Sequence, residues 1–262
     1  MNQPRHRVLV TGSTGSIGTI LMQGLAEEFK MIGHARSPED APARENLRFA
    51  DITDLEATRG ALRGIQTVVH LAAAAEPDST WEQVLEANII GMRNVLEAAR
   101  LEGVRRVVIA SSNHVMGGHD RAGTWPLTEK TVPRPDSLYG VSKAFAESLG
   151  SFYHDEYDLD VICLRIGWVA ADPSAEGPDA ELLQSLWLSP GDAVRVVRCA
   201  ITAPVRWGVY AAISANPNAR WSLANTRIDL GYRPQDSWDR FLGVEETVIP
   251  GGAPVRADWP RR

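Results

Sequence analysis

Short apolar runs alternate with stretches of helical periodicity along the first two thirds of the chain. Residues 8–11 form an apolar run that stops at a glycine, as a strand buried on both faces of a parallel sheet does. In 16–29, Ile17, Ile20, Leu21, Leu25 and Phe29 fall near one face, which predicts an amphipathic helix. The same reading predicts strands over 30–35, 47–50, 67–71, 106–110 and 160–165. Helices are predicted over 55–62 and 81–101, and another starts near Tyr139. Between the last helix pair, 117–137 is rich in Pro, Gly and Asp and reads as a loop. Strands that alternate with helices in this way predict an α/β fold, a doubly wound parallel sheet.

After Gly167 the pattern changes. Pro173, Gly177, Pro178, Pro190 and Gly191 punctuate the chain, and Trp187, Trp207, Trp221 and Trp238 all fall there. We read 1–262 as a single domain, with 1–167 mainly a dinucleotide-binding core and 168–262 mainly a small C-terminal substrate-covering region. The residues from Gly251 onward read as a poorly anchored tail.

Composition narrows the function classes. Lys and Arg number 27 against 33 Asp and Glu, a net charge of −6 that draws the chain to neither nucleic acid nor anionic lipid. Cys163 and Cys199, the two cysteines, lack the spacing of a zinc site or a disulfide framework. No secretory leader and no apolar run of roughly 20 residues stands out, so a cytoplasmic protein with no membrane partner and no metal is expected.

Residues 11–18 read Thr-Gly-Ser-Thr-Gly-Ser-Ile-Gly, between the first predicted strand and helix. Glycine permits the tight turn and a close backbone approach, and the helix N-terminus offers free N–H groups to a pyrophosphate. Gly12, Thr14, Gly15, Ser16, Ile17 and Gly18 are therefore candidate cofactor contacts in a Rossmann-type fold. The acid that closes the second strand of NAD binders is absent; Arg36 and Ser37 stand just beyond it. A guanidinium pairs with a 2′-phosphate where a carboxylate would repel it, which favours NADP over NAD. Alternatively, Arg36 is a solvated loop cation and Glu39 or Asp40 reaches back to the ribose. Asp51 and Ile52, at the end of the third strand, are candidates for the adenine edge; a turn aspartate is the other reading of Asp51.

Tyr139 and Lys143 stand four residues apart, on one face of a helix. A free phenol titrates at about 10, and a neighbouring cation lowers that value towards useful acid/base range. Ser112, ending the preceding strand, places a hydroxyl for a substrate oxygen. Alone, the pair also suits a helix start with a buried tyrosine and an exposed lysine.

With these motifs in place, the chain resembles the extended short-chain dehydrogenases/reductases, which include nucleotide-sugar epimerases and dehydratases. The matching strings are TGSTGSIG at 11–18, ADITD at 50–54, VVHLAA at 68–73, ANIIGMRNVLEAA at 87–99, ASSNHVMG at 110–117, PRPDSLYGVSK at 133–143 and LRIG at 164–167. The resemblance implies Tyr139 as acid/base, Lys143 on the nicotinamide ribose and Ser112 orienting the reacting oxygen. It places Leu71, Ala72 and Ala73 in the cofactor cleft and Ile166 beside the nicotinamide. Asn88 lies near the active site in such enzymes; a backbone-satisfied helix residue is its other reading. Within the group the chain is most similar to uronate dehydrogenases and related aldose dehydrogenases. That likeness makes Asn113 and His114, with Ala75 and Trp168, candidate substrate contacts; His114 is equally readable as a structural loop histidine.

Two departures separate the chain from the uronate enzymes. Trp168 stands where they carry a small hydroxyl residue after the RIG triplet. The stretch 179–187 lacks the arginine that they present to the substrate carboxylate, leaving Arg195, Arg198 or Arg206 to replace it from elsewhere. Trp168, Trp187 and Trp207 either shape a sugar pocket or belong to the core. The expected function is oxidation of a sugar or sugar-like alcohol by hydride transfer. The alternatives are a nucleotide-sugar epimerase, disfavoured by the 95 residues that follow Gly167, and an NADP-binding redox sensor without turnover. The resemblance also implies a homodimer built on helices 81–101 and the one starting near Tyr139.

Overall fold

The computed structural model describes residues 5–40 and 46–244; the tail predicted from Gly251 lies outside them. Seven parallel strands form one sheet: β1 (Arg7–Thr11), β2 (Lys30–Ala35), β3 (Leu47–Phe49), β4 (Thr67–His70), β5 (Arg106–Ser112), β6 (Asp160–Ile166) and, near the C-terminus, β9 (Trp207–Ala212). Their order is β3-β2-β1-β4-β5-β6-β9. The connections turn in opposite directions on either side of the β1–β4 pair, which opens a crevice at the carboxyl ends of these strands.

Side-chain alternation decides what each face buries. Val8, Val10, Val69 and Val108 face a cluster with Leu21 and Leu25 from α1 (Ser16–Gly24) and its following turn, and Val196 and Val197 from α8 (Pro190–Thr202). Leu9, Val68, Val107 and Ile109 face the opposite cluster. There they meet Leu62 from α2 (Leu55–Leu62), Val95 and Leu96 from α4 (Gly91–Leu101), and Ala146 and Tyr153 from α6 (Leu138–Tyr157).

Several elements differ from the sequence reading. Helix α1 stops at Gly24 rather than Phe29, because Gly24 packs where a Cβ would lie 2.5 Å from Val194, and turns carry Leu25 and Phe29 inward. The predicted helix 81–101 runs through α3 (Trp81–Gln83), a π-helical segment (Val84–Ile90) and α4. The predicted loop 117–137 opens with a short helix, α5 (Gly117–Ala122). Past Gly167, α8 packs on α1 and β9 completes the main sheet beside β6, so 190–212 belongs to the layered core. The rest of the described C-terminal part holds a two-stranded parallel pair, β7 (Trp168–Val169) with β8 (Trp187–Leu188), and the short helices α7 (Ala180–Leu186), α9 (Ala224–Asp229) and α10 (Trp238–Leu242). No helix among the described residues is long and apolar enough to cross a membrane.

Candidate active site

The glycine loop joins β1 to α1 at the crevice. Gly12 has φ +64°, and a Cβ there would lie 3.0 Å from the Ala72 amide nitrogen. A Cβ on Gly18 would collide with the Gly12 carbonyl oxygen. Glycine is thus needed at Gly12 for conformation and at both positions for space. Gly15 enters α1 in extended conformation with no side chain capping the helix, so the first-turn N–H groups have no side-chain acceptor. Among the loop residues, Ser16 is exposed and Thr14 and Ile17 are half-buried. A tight, uncapped, glycine-lined helix start fits a pyrophosphate.

Two hydroxyls clip this loop to its neighbours. Thr11 Oγ1 accepts from the Leu71 and Ala72 amides at 3.1 Å each and lies 2.8 Å from His70 Nδ1. The first candidate cleft residues, Leu71 and Ala72, are thereby held against the phosphate loop, with Ala73 following. Ser13 Oγ donates to the His34 carbonyl and accepts from the His34 amide, at 3.1 and 3.0 Å. Both histidines are buried, and burial pushes their pKa values down, to about 3 for His70 and about 4 for His34.

At the far end of the crevice, beyond β2, Arg36 is 74% exposed and its Nε lies 3.7 Å from the Asp40 carboxylate. Ser37 Oγ donates to the same carboxylate at 2.9 Å. Asp40 is therefore tied to its own loop. Asp51 Oδ1 accepts from the Thr53 amide and hydroxyl, at 2.9 and 2.8 Å, and these bonds hold its carboxyl below the usual range. That is turn chemistry, and it occupies Oδ1 of Asp51. Ile52 is buried, packed against Gly91 of α4.

The opposite wall carries the candidate catalytic residues. Strand β5 extends to Ser112 and β6 to Ile166, two and one residues further than the periodicity predicts. Ser112 Oγ accepts from the His114 amide at 3.2 Å and donates to Asn113 Oδ1 at 3.3 Å. Ser137 caps α6 by accepting from the Gly140 amide at 3.0 Å, which starts the helix at Leu138 and puts Tyr139 in its first turn. Burial pushes the Tyr139 phenol up; the Ser112 hydroxyl opposes that shift and the Glu76 carboxylate adds to it. Lys143 is buried, with Nζ 5.4 Å from the Tyr139 ring centroid, and burial lowers its pKa to about 8. It forms no ion pair among the described residues. Desolvation of the phenol, and not the expected lowering by Lys143, sets the direction of its shift.

Asn88 sits in the π-helical segment, a feature common where helices serve function. Its amide group accepts from the Ala74 amide at 2.8 Å and donates to the Ala74 carbonyl and to Ser142 Oγ, at 3.0 and 2.9 Å. It thus anchors the 72–75 turn, which ends at exposed Ala75, to the helix carrying Tyr139 and Lys143. His114 Nδ1 lies 3.0 Å from Asp136, and its ring meets Tyr139 edge-on at 5.7 Å between centroids. A Cβ on Gly140 would collide with the His114 carbonyl, so the glycine after Tyr139 permits this approach.

The tryptophans and arginines separate cleanly. Trp168 is half-buried directly after Gly167, Trp187 is wholly buried, and Trp207 starts β9 at the end of the sheet away from Ser112 and Ile166. Arg195 pairs with Asp192 and Asp236, Arg198 with Glu28, and Arg206 with Asp158 and Asp160. Arg195 and Arg206 are thus each held by two carboxylates, whereas Arg198 makes one exposed pair at 3.6 Å. Sequence reasoning missed Thr11, Asp136, Ser142, Glu147 and Arg165, whose partners lie between 3 and 61 residues away. Only the last two carried a signal, a charged residue inside an apolar helix face and strand.

Comparison with known proteins agrees with this geometry. Residues 8–184 match the model of the NAD dependent epimerase/dehydratase family. The L-arabinose 1-dehydrogenase (NAD(P)(+)) of Haloferax volcanii is 39% identical over 88% of this chain and 97% of its own length. The NAD-dependent glucose-6-phosphate dehydrogenase of the same organism is 33% identical over 92% of this chain and 96% of its own. The crystal structure of a mutant uronate dehydrogenase from Agrobacterium tumefaciens, complexed with NAD, superposes with a TM-score of 0.80, at 31% identity over 95% of this chain and 92% of that one. The chain belongs to the NAD dependent epimerase/dehydratase family.

Proposed function

We propose that the chain is an NAD(P)-dependent oxidoreductase that oxidises a hydroxyl of a neutral sugar, with NADP preferred. The observation that carries this reading is the meeting of Ser112, Tyr139 and Lys143 at the strand ends beside an uncapped glycine loop. The relatives named above, which by name oxidise sugars with NAD or NADP, support it. The engagement of Arg195 and Arg206, each with two carboxylates, supports a neutral substrate over a uronate or a sugar phosphate.

Gly12, Thr14, Gly15, Ser16, Ile17 and Gly18 would hold the pyrophosphate of the dinucleotide. Arg36 and Ser37 would take the 2′-phosphate, Asp51 and Ile52 the adenine edge, and Leu71 to Ala73 with Ile166 the nicotinamide half. When bound, the nicotinamide supplies the hydride acceptor. Tyr139 would act as the acid/base that takes the hydroxyl proton as the carbon bearing that hydroxyl gives up its hydride, leaving a carbonyl product. Ser112 holds the reacting oxygen. Lys143, with no counter-ion among the described residues, has its N–H groups available for the ribose and stabilises the phenolate. Asn113 and His114 orient the sugar, with Asp136 fixing the His114 ring, and Ala75 and Trp168 line the pocket.

The test is turnover of L-arabinose, D-glucose, glucose 6-phosphate and glucuronate, each with NAD and NADP, followed by reduced-cofactor absorbance. We expect kcat/KM to be highest for a neutral aldose with NADP. A uronate or phosphate ester as the best substrate overturns the neutral-sugar reading, and a strong NAD preference overturns the cofactor reading. A homodimer is proposed on α4 and α6, where Leu101, Phe152 and Tyr157 are exposed. Phe152→Glu is expected to halve the mass seen by light scattering.

A further inference from the structure

One turn below Lys143 on α6, Glu147 is buried and forms a two-bond ion pair with Arg165 of β6. Arg165 Nε donates to Oε1 at 2.9 Å and an NH2 group to Oε2 at 2.8 Å, and both side chains are less than a tenth exposed. Ser111, at the end of β5, donates its hydroxyl to the same Oε1 at 2.6 Å. Burying two opposite charges is expensive, and apolar side chains of similar volume stabilise a core as well or better. A pair kept at this depth, with a bidentate geometry that lysine cannot reproduce, acts on orientation rather than on stability.

Its three members are spaced regularly from the candidate chemistry. Ser111 adjoins Ser112, Glu147 is four residues from Lys143, and Arg165 adjoins Ile166. The pair therefore binds together the three segments that carry the reacting-oxygen hydroxyl, the phenol with its lysine, and the floor of the nicotinamide half.

We propose that Glu147 and Arg165, with Ser111 as the third member, are positioning residues that set Ser112 against Tyr139 and Lys143 and neutralise each other's charge beneath the lysine. This inference rests on the assignment of Ser112, Tyr139 and Lys143 made above. The charged and titratable groups facing Lys143 are Tyr139 on its own helix, His70 from β4 and Cys163 from β6, and Cys163 in turn faces Glu147 of α6 and Arg165 of β6. His70 is held neutral, and burial keeps the Cys163 thiol protonated. Glu147, four residues from Lys143 on the same helix face, and Arg165 form a charged pair that offsets itself beside Cys163.

The chain has three lysines, Lys30, Lys130 and Lys143, so selective 13C-lysine labelling makes the Lys143 titration directly visible by NMR. In the wild type its midpoint is expected at about 8. Glu147→Gln, which leaves the Arg165 cation unbalanced, is expected to lower it by about one unit, and Arg165→Met to raise it by about one unit. Arg165→Lys keeps the charge but loses the fork, so the midpoint stays while kcat falls. Turnover with L-arabinose is expected to drop about 10- to 100-fold in kcat in all three variants, with NADP affinity by fluorescence titration within about twofold. Ser111→Ala removes one hydroxyl and keeps the ion pair, so it tests the geometry should a charge variant fail to fold; we expect kcat to fall about fivefold at unchanged melting temperature. Folded variants with the wild-type midpoint and kcat, or Ser111→Ala with unaltered kcat, overturn the proposal. If those variants are fully active while Tyr139→Phe is dead, only the positioning role fails. If Tyr139→Phe is fully active, the catalytic assignment itself fails.

Discussion

The two ends of the crevice are built in opposite ways. Around Tyr139 and Lys143 the polar groups are buried and bonded to several segments at once: Asn88 to Ala74 and Ser142, Ser111 to Glu147, and Glu147 to Arg165. Around Arg36 the contacts are local and exposed, a 3.7 Å ion pair to Asp40 and a turn at Asp51 closed by Thr53. Rigid wiring at one end suits proton transfer, where sub-ångström placement decides rate. Loose wiring at the other suits recognition of a charged group, where exposed cations contribute modestly and are readily exchanged. On the function proposed above, reaction type and cofactor choice would be controlled by separate parts of the molecule.

Changes at the buried end should have the larger consequences. Tyr139→Phe removes the proton acceptor, and we expect kcat to fall about 10³- to 10⁴-fold with NADP affinity nearly unchanged; steady-state kinetics beside fluorescence titration measures both. A small loss would break the comparison at its strongest point.

Lys143→Met tests the cost of holding a charge there. A lysine held at about 8 folds against a penalty that is complete below that value, because the unfolded chain keeps the proton up to about 10.4. Unfolding free energy should therefore rise with pH between these two values, as the unfolded state binds the extra proton. At pH 7 the inactive Lys143→Met variant should be more stable by about 3 kcal/mol in denaturant melts, and the gap should close near pH 10. A variant less stable than the wild type at pH 7 would mean that the ammonium is stabilised by its surroundings.

The mirror effect operates at low pH. His34 stays neutral down to about 4 and His70 down to about 3, whereas both protonate at about 6.5 when unfolded. Their contribution to stability is present above about 6.5 and is lost as pH falls towards these folded values. Replacement of His34 by Asn should flatten the melting-temperature profile between pH 6 and pH 4, by about 2 kcal/mol at the acid end; an unchanged profile rules the effect out. The smallest change is expected at the exposed end. Arg36→Ser should lower the NADP-to-NAD ratio of kcat/KM about tenfold while leaving kcat with NAD within about twofold. A fall in both cofactors together would show that the two ends are coupled.

Much of this was legible along the chain because its signals are local. The glycine spacing at 12, 15 and 18, the Tyr139–Lys143 interval and the strand periodicity each sit within a few residues. The structure and the family match agree with the fold and family that those signals predict. Reading failed where long-range packing decides. The stretch 190–212 looked like part of a cover, yet α8 and β9 complete the sheet, because the free edge of β6 and the face beside α1 need partners that no local pattern announces. Arg195 and Arg206 looked available until their carboxylate partners were placed. Asp136 passed unnoticed beside Tyr139 because its importance lies in reaching back to His114, 22 residues away.

By itself, the sequence determined the alternating α/β architecture, the backbone freedom of the phosphate loop and the identity of the phenol, ammonium and hydroxyl. These follow from side-chain period, from the absence of a Cβ and from chemistry that each residue carries alone. Only the tertiary structure decided the electrostatic state of those groups. Burial raises the Tyr139 phenol, lowers Lys143 to about 8 and leaves it facing a neutral histidine and a protonated thiol. Desolvation and charge pairing depend on which distant segments pack together, and no spacing along the chain encodes them.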